Sequence, residues 1–167
     1  DYAVRGEGEK TILELISAIE GKIDIKDVNG LSFKKDGNIV HNKDRELIEN
    51  LDDLPFPDWS LLENHKEINY MPIQTSRGCP YACKFCSVIK VFGRKYRFRS
   101  VDSIIAEIKH VLKTFEGTKA KRIFFYDDNF SANRKRTKNL LRKITEQKIK
   151  MPTWFSQERL DISEDEE

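Results

Sequence analysis

The amino-acid sequence predicts an α/β protein that contains a parallel β-sheet. In the second half of the chain, three short apolar runs at 70–75, 123–126 and 151–156 alternate with two longer stretches of helical periodicity. Strands that alternate with helices in this way form right-handed βαβ units, and such units build a parallel sheet. We therefore expect the first two and a half βα units of a parallel sheet that is either open or closing into a barrel.

The first half of the chain is organised differently. Residues 9–20 carry apolar side chains at helical spacing, which predicts one amphipathic helix. Two short apolar runs then flank Asp36 and Gly37, the dipeptide that favours a type I′ turn, so we expect a β-hairpin. Residues 50–62 contain two prolines and show little periodicity, which predicts an extended linker with a domain boundary near Pro55.

Capping residues and apolar stripes define the elements of the second half. Ser100 is expected to cap a helix whose apolar side chains form one stripe from Val101 to Phe115. The near-continuous apolar run at 123–126 is typical of a buried parallel strand. A second helix is expected to begin at Ser131 and to continue to about Lys148.

Composition narrows the class of protein. No apolar stretch approaches the roughly 18 residues needed to cross a bilayer, and no signal peptide opens the sequence, so we expect a cytoplasmic protein without a membrane partner. The chain starts at Asp1 without a Met, which we interpret as an internal fragment of a longer protein. All three cysteines lie between Cys79 and Cys86, and closely spaced thiols in a reducing compartment bind metal more often than they form disulfides.

The charges are distributed unevenly along the chain. Residues 1–69 hold 9 basic and 16 acidic side chains, residues 70–150 hold 20 and 6, and residues 151–167 hold 1 and 6. The basic block coincides with the cysteine loop and with the two predicted βα units that come after it. Such a block suits an anionic ligand, an acidic partner protein or nucleic acid, and it does not by itself distinguish among them.

The cysteines are spaced as C-x-x-x-C-x-x-C in a loop that directly follows the first strand of the predicted parallel sheet. Thiolates are soft ligands that select zinc, copper(I) or iron–sulfur clusters. A zinc site needs a fourth ligand, for which only His41, His65 and His110 are available, and zinc modules usually carry a second ligand pair that this sequence lacks. Three thiolates suit a cubane cluster and leave its fourth iron open to a small ligand. The spacing therefore favours iron–sulfur over zinc.

The stretch TSRGCPYACKFC at 75–86 resembles the signature of the radical S-adenosylmethionine (SAM) superfamily. Three further stretches resemble the members of that superfamily that carry an N-terminal cobalamin-binding domain. These stretches are RGEGE at 5–9, NLDDLPFPDW at 50–59 and YDDNF at 126–130. Together the four stretches extend the resemblance over essentially the whole chain.

The resemblance implies a particular architecture. The fold would be a partial parallel (βα) barrel of the radical SAM type, preceded by the C-terminal tail of a Rossmann-like cobalamin-binding domain and a linker. In that division, residues 1–21 are the tail, residues 22–69 are the hairpin and linker, and residues 70–167 are the N-terminal part of the radical SAM core.

The resemblance also implies a function. The open iron of a 4Fe–4S cluster would chelate the amino and carboxylate groups of SAM, and one electron from the reduced cluster would cleave SAM to methionine and a 5′-deoxyadenosyl radical that takes hydrogen from the substrate. In cobalamin-dependent relatives a methyl group is often then delivered to the substrate radical. The implied partners are a small-molecule substrate and an electron donor such as flavodoxin or ferredoxin.

Several residues of the cysteine loop receive roles from this resemblance. Cys79, Cys83 and Cys86 would be the cluster ligands. Phe85 would lie near the adenine of SAM, or else would be a packing residue that shapes the loop. Gly78 would allow the backbone to approach the cluster closely.

The ends of the second and third strands supply the remaining candidates. In this superfamily the end of the second strand contacts the amino group of SAM, usually through a Gly-Gly-Glu-like motif, and this sequence has Asp127, Asp128 and Asn129 there instead. Capping of the following helix is the alternative role for those side chains. Gln157 and Arg159 at the end of the third strand are further cofactor-binding candidates.

The rival function is a non-catalytic zinc- or RNA-binding module. It would use the cysteine loop together with the basic stretch 90–99, in which aromatic and basic residues alternate in a manner that suits single-stranded RNA. Such alternation is equally typical of a half-exposed strand or loop, and no RNA-binding fold signature accompanies it. Nucleic acid is therefore the less favoured partner.

Overall fold

A computed structural model of the protein describes residues 1–164, and the chain divides into two compact units. The first unit comprises residues 1–49 and 78–95, and the second comprises residues 50–77 together with the described residues from 96 onward. The segment 78–95, which carries all three cysteines, is thus grouped with the N-terminal residues. The family-based division at residues 21 and 69 stays a prediction.

A three-stranded antiparallel sheet forms the centre of the first unit. Its strands, in spatial order, are β1 (Tyr2–Val4), β2 (Leu31–Lys35) and β3 (Asn38–His41). The predicted hairpin of β2 and β3 is confirmed, and both residues of its turn have positive φ, 48° at Asp36 and 82° at Gly37, as a type I′ turn requires.

Two helices belong to the first unit, α1 (Glu9–Ile19) and α2 (Val88–Phe92). The predicted helix over 9–20 is confirmed by α1, which packs Leu15 into a small core. The other fully or nearly buried members of that core are Val28, Leu31 and Phe33. Arg5 of the RGEGE stretch donates hydrogen bonds to the carbonyl oxygens of Leu31 and Asn42, so this arginine ties β1 to the hairpin.

The second unit contains a three-stranded parallel sheet and a two-stranded antiparallel pair. Its strands are β4 (Tyr70–Ile73), β5 (Ser76–Arg77), β6 (Arg97–Phe98), β7 (Arg122–Phe125) and β8 (Thr153–Ser156). The parallel sheet has the order β4-β7-β8, and β5 pairs with β6. The α/β fold with a parallel sheet is confirmed, and in the part of the chain that the structure describes the sheet does not close into a barrel.

Helices α3 (Val101–Thr114) and α4 (Arg134–Glu146) connect the three parallel strands. The predicted cap of α3 is confirmed, because the Ser100 hydroxyl accepts the N–H of Ser103 at 3.1 Å. The predicted start of α4 at Ser131 is wrong. Asn133 is the N-cap and accepts the N–H of Arg136 at 3.1 Å, whereas the Ser131 hydroxyl donates to the Glu158 carboxylate.

One apolar core joins both helices to one face of the parallel sheet. Alternate residues of each strand point to this face, as the two-residue period of a strand requires. The core side chains are Met71, Ile73, Ile123 and Phe125 from the strands and Ile104, Ile108, Val111, Leu140 and Ile144 from the helices. No helix among residues 1–164 is long and apolar enough to cross a membrane.

Candidate functional site

The cysteine loop carries three cysteines and contains one tight turn. The Cys86 N–H donates to the Cys83 carbonyl oxygen at 3.0 Å, which closes a tight turn between the second and third cysteines. The Cys79 N–H donates to the Gly93 carbonyl oxygen at 3.1 Å and holds the first cysteine against the end of the segment. Cys79 and Cys86 are half-buried, Cys83 is exposed, and no disulfide joins any two of them.

Glycine is required immediately before the first cysteine. Gly78 has φ of 91°, in the region that side-chain-bearing residues rarely adopt. A Cβ atom at this position would lie 2.2 Å from the Lys95 carbonyl oxygen. The glycine therefore allows the start of the cysteine segment to approach its end, and the predicted approach to a cluster stays a prediction.

The donor set of this loop suits a cluster better than a single ion. Among residues 1–164, no three side chains of His, Cys, Asp or Glu converge as a mononuclear metal site would require. Thiolates that hold an iron–sulfur cluster need not converge on one ion, and three cysteines in one loop with no disulfide between them provide that kind of ligand set. The loop chemistry therefore fits an iron–sulfur cluster.

Phe85 is the most exposed aromatic side chain of the described residues, with 93% of its surface accessible. A ring in this position buries almost nothing against the protein, so the structure does not support its alternative role as a packing residue. An exposed flat ring beside Cys86 is available to contact a ligand.

Asp127 lies in a fully buried position just after β7. Its carboxylate accepts the N–H of Thr75 at 3.1 Å, the Thr75 hydroxyl at 2.9 Å and the Ser76 hydroxyl at 2.5 Å. Burial raises the pKa of Asp127, and the hydrogen bonds from Ser76 and Thr75 oppose that shift. This carboxylate therefore binds the strand end that leads into the cysteine loop.

Asp128 and Asn129 differ from Asp127 in their surroundings. Asp128 is half-buried, and burial followed by the neighbouring Asp127 charge raises its pKa. Asn129 is buried, and its backbone carbonyl accepts the N–H of Ala132 at 3.2 Å. Since Asn133 caps α4, neither aspartate caps that helix. Asp128 is thus the more accessible of the two aspartates at this edge of the sheet.

The candidates after β8 lie at the surface. Gln157 is exposed, and its backbone carbonyl accepts the N–H of Phe130 at 3.1 Å. Arg159 is exposed, with its Nε atom 3.5 Å from an Asp161 carboxylate oxygen. Their predicted contacts with a cofactor stay predictions.

Sequence reasoning missed a group of buried charges that surrounds Thr75. Arg99 forms an ion pair with Glu107 and donates to the Gln74 carbonyl oxygen at 3.0 Å. Arg136 donates to the Thr75 carbonyl oxygen at 2.9 Å. The sequence held one signal of this group, because Glu107 interrupts the apolar face of α3. In the structure this side chain is only 2% exposed.

The RNA-binding alternative is not supported. Arg97 is buried, Arg99 is paired with Glu107, and Lys95 lies 2.8 Å from the Glu49 carboxylate. Basic side chains engaged in this way within the protein are not displayed as a groove for a phosphate backbone. The alternation in the stretch 90–99 therefore reflects the packing of a half-exposed strand and loop.

Comparison with known protein families gives one match that covers more than half of the chain. The model of the radical SAM superfamily matches residues 73–163, which include the cysteine loop, Asp127, Asp128 and the strands β7 and β8 of the parallel sheet. The chain belongs to the radical SAM superfamily. The curated proteins that resemble the chain include methyltransferases and cyclases.

Two curated relatives illustrate the range of these radical SAM proteins. An uncharacterized methyltransferase of Pyrococcus horikoshii is 35% identical over 165 residues, which are 96% of this chain and 35% of that protein. The anaerobic magnesium-protoporphyrin IX monomethyl ester cyclase of Rubrivivax gelatinosus is 39% identical over 124 residues, which are 68% of this chain and 22% of that protein. The chain thus spans about a third or less of the length of these relatives.

Two solved structures share the fold. The cobalamin-dependent SAM radical enzyme OxsB matches 99% of this chain and 24% of its own, with a TM-score of 0.79 and 23% identity. The radical SAM methyltransferase TsrM of Kitasatospora setae, solved with tryptophan substrate and a SAM analogue, matches 89% of this chain and 29% of its own, with a TM-score of 0.68 and 22% identity. At such identities the likeness shows the fold, which is that of the radical SAM α/β unit.

Proposed function

We propose that this radical SAM chain holds a 4Fe–4S cluster on Cys79, Cys83 and Cys86 and binds SAM at the open iron. The observation that carries the proposal is the set of three cysteines in one loop, with no disulfide between them, within the matched radical SAM region. When bound, the reduced cluster supplies the electron that cleaves SAM to methionine and a 5′-deoxyadenosyl radical. The partners of the proposed reaction are a small-molecule substrate and an electron donor of the flavodoxin or ferredoxin type, in the cytoplasm.

The residues of this chain have distinct parts in that function. The turn between Cys83 and Cys86 sets the spacing of two ligands, and the exposed ring of Phe85 is available to lie on the adenine of SAM. Asp128, the more accessible of the two aspartates, accepts hydrogen bonds from the iron-bound amino group of SAM. A charge-assisted bond of this kind contributes roughly 1.5–3 kcal/mol.

Cobalamin-dependent methyl transfer is the more specific form of the proposal. OxsB is a cobalamin-dependent enzyme by name, and TsrM has been solved with cobalamin and a [4Fe–4S] cluster. The residues of the RGEGE stretch form structural contacts within the first unit, with Arg5 bound to the hairpin and the Glu7 carboxylate accepting the N–H of Ile48 at 2.6 Å. These contacts give the stretch a structural role within the unit, and its link to cobalamin rests on the family resemblance.

Iron analysis after anaerobic reconstitution with iron and sulfide tests the proposal. We expect about four irons per chain in the wild type, and loss of the cluster on Ala replacement of Cys79, Cys83 or Cys86, because two thiolates leave too few anchors for a cubane. Ser87→Ala is the control, since Ser87 is an exposed neighbour of Cys86 whose side chain forms no capping hydrogen bond. Full cluster retention in any single Cys variant, or one tightly bound zinc in its place, would overturn the proposal.

A further inference from the structure

The cysteine segment 78–95 leaves and re-enters the second unit through a narrow pair of strands. The incoming strand β5 and the outgoing strand β6 pair with the register Ser76 to Phe98 and Arg77 to Arg97. We call residues 74–77 and 97–99 the neck of the segment. Beyond the strand pairing, the Arg99 N–H donates to the Thr75 carbonyl oxygen at 3.0 Å.

Every polar group of Thr75, a residue of the neck, forms a hydrogen bond. Its N–H and its hydroxyl both donate to the Asp127 carboxylate. Its carbonyl oxygen accepts from the Arg99 N–H and from the Arg136 guanidinium, and its hydroxyl also accepts from Arg136. Thr75 has no exposed surface, so moving its backbone would leave buried polar groups without hydrogen bonds. The position of Thr75 is therefore tightly constrained.

Two buried carboxylates and two half-buried guanidinium groups surround Thr75. Asp127 and Glu107 supply two carboxylates, and Arg99 and Arg136 supply two guanidinium groups. The Arg136 guanidinium also lies 4.9 Å from the ring centroid of Phe98 on the outgoing strand. Apolar side chains would fill this space at lower desolvation cost, so buried pairs of this kind are better explained by the single geometry that they specify.

We propose that Asp127 and Arg136 are positioning residues that fix the neck, and that the neck in turn fixes the loop that carries the cluster ligands. Thr75 and Ser76 lie only four and three positions before Cys79, so a displaced strand end displaces the first ligand through the covalent chain. This role differs from the contact with the SAM amino group that the family resemblance implies for Asp127, and it rests on the proposed function only in its consequence for the cluster.

Asp127→Asn and Asp128→Asn are the matched pair of variants in the full chain, because they make the same chemical change at adjacent positions. The first readout needs no cluster and is hydrogen exchange of the Thr75 amide in the apo protein. We expect exchange to accelerate at least about ten-fold in Asp127→Asn and to stay at the wild-type rate in Asp128→Asn, since only Asp127 accepts that N–H.

The second readout is the rate at which the reconstituted cluster is lost to an iron chelator. We expect loss to be at least about ten-fold faster in Asp127→Asn than in the wild type and in Asp128→Asn. Wild-type rates of both amide exchange and cluster loss in Asp127→Asn would overturn the inference. A wild-type protein that forms no cluster would instead refute the proposed function, while the amide exchange would still test the neck.

Thr75 gives an independent test in case Asp127→Asn does not fold. Thr75→Val keeps the side-chain volume and removes the hydroxyl that joins Asp127 to Arg136, whereas Thr75→Ser keeps the hydroxyl. We expect fast cluster loss and fast exchange of the Arg99 amide in Thr75→Val. In Thr75→Ser we expect both rates to be close to those of the wild type. Equal behaviour of the two Thr75 variants would show that packing alone holds the neck and would overturn the inference.

Discussion

Asp127 and Asp128 are adjacent in sequence but lie in different chemical surroundings. The alternation of β7 continues into them, because Ile123, Phe125 and Asp127 point to the buried face, while Phe124 and Asp128 are half-buried on the other side. A carboxylate on the buried face must find its hydrogen-bond donors within the protein, and Asp127 accepts hydrogen bonds from Thr75 and Ser76. The other face leaves Asp128 accessible to a ligand.

Asp128→Asn is expected to weaken SAM binding to the reconstituted protein by about ten-fold or more. The physical reason is the loss of a charge-assisted hydrogen bond, worth roughly 1.5–3 kcal/mol, in which the carboxylate accepts an N–H of the ligand's amino group. The change in the cluster's absorption spectrum on titration with SAM measures the affinity. Asp36→Asn in the exposed hairpin turn is the control, because it removes one carboxylate away from the strand edge.

The same titration has a predictable dependence on pH. The pKa of Asp128 is raised by burial and by Asp127, and the ionised carboxylate is the stronger acceptor for the amino N–H of SAM. Affinity should therefore be full above the raised pKa and fall as the pH is lowered through it. Asp128→Asn should remove this dependence, and a variant that binds SAM with wild-type affinity and pH profile would show that Asp128 does not touch the ligand.

Sequence patterns predict the role of an individual residue only where its chemical type and its spacing from similar residues both indicate the same kind of site. The three cysteines were identified because no other residue type offers soft ligands at that spacing. Arg136 and Arg99 could not be distinguished from the many exposed cations around them, since their pairing with Thr75 and Glu107 depends on contacts between distant elements.

At the level of secondary structure, periodic elements are predictable and short ones are not. The helices α1 and α3 have enough turns for one apolar stripe to identify them. The strands β1, β5 and β6 have two or three residues each, and they form only because a distant partner supplies the hydrogen bonds. The start of α4 was misplaced because Ser131 and Asn133 are both good caps, and Glu158 binds the first of them.

The start of the cysteine segment yields a prediction about stability. Gly78→Ala should destabilise the apo protein by about 1–2 kcal/mol for the left-handed backbone and by a further ~1–3 kcal/mol for overpacking against the Lys95 carbonyl oxygen. Gly37→Ala is the matched control, because Gly37 also has positive φ but has no atom within 4 Å of an added Cβ. Urea denaturation measures both changes, and equal destabilisation would show that the approach to Lys95 is not tight.

The two units of the molecule carry different parts of the proposed site. The second unit carries the parallel sheet of the radical SAM fold, and the first carries the cysteine segment together with the three-stranded antiparallel sheet. The parallel architecture was predictable because alternating strands and helices allow few topologies. The grouping of residues 78–95 with residues 1–49 was not predictable, because the contacts that define it join residues far apart in sequence.

The prediction for the whole molecule concerns the binding of cobalamin. We expect the 167-residue chain alone not to retain cobalamin, and a longer protein with a Rossmann-like domain before Asp1 to retain it, because most of the binding surface would lie in that domain. Cobalamin absorbance that elutes with the protein in gel filtration measures retention. Tight binding by the 167-residue chain, or none by the longer protein, would refute the assignment of residues 1–21 to a cobalamin-binding domain.

The three cysteines are proposed to hold a cluster whose fourth iron binds SAM. The most direct measurement is the electron paramagnetic resonance spectrum of the reconstituted and reduced protein, recorded before and after addition of SAM. We predict a 4Fe–4S signal whose g values shift when SAM is added, because a ligand on the open iron changes the electronic structure of the whole cluster. A 4Fe–4S signal that SAM leaves unchanged would contradict the proposed binding of SAM at the open iron.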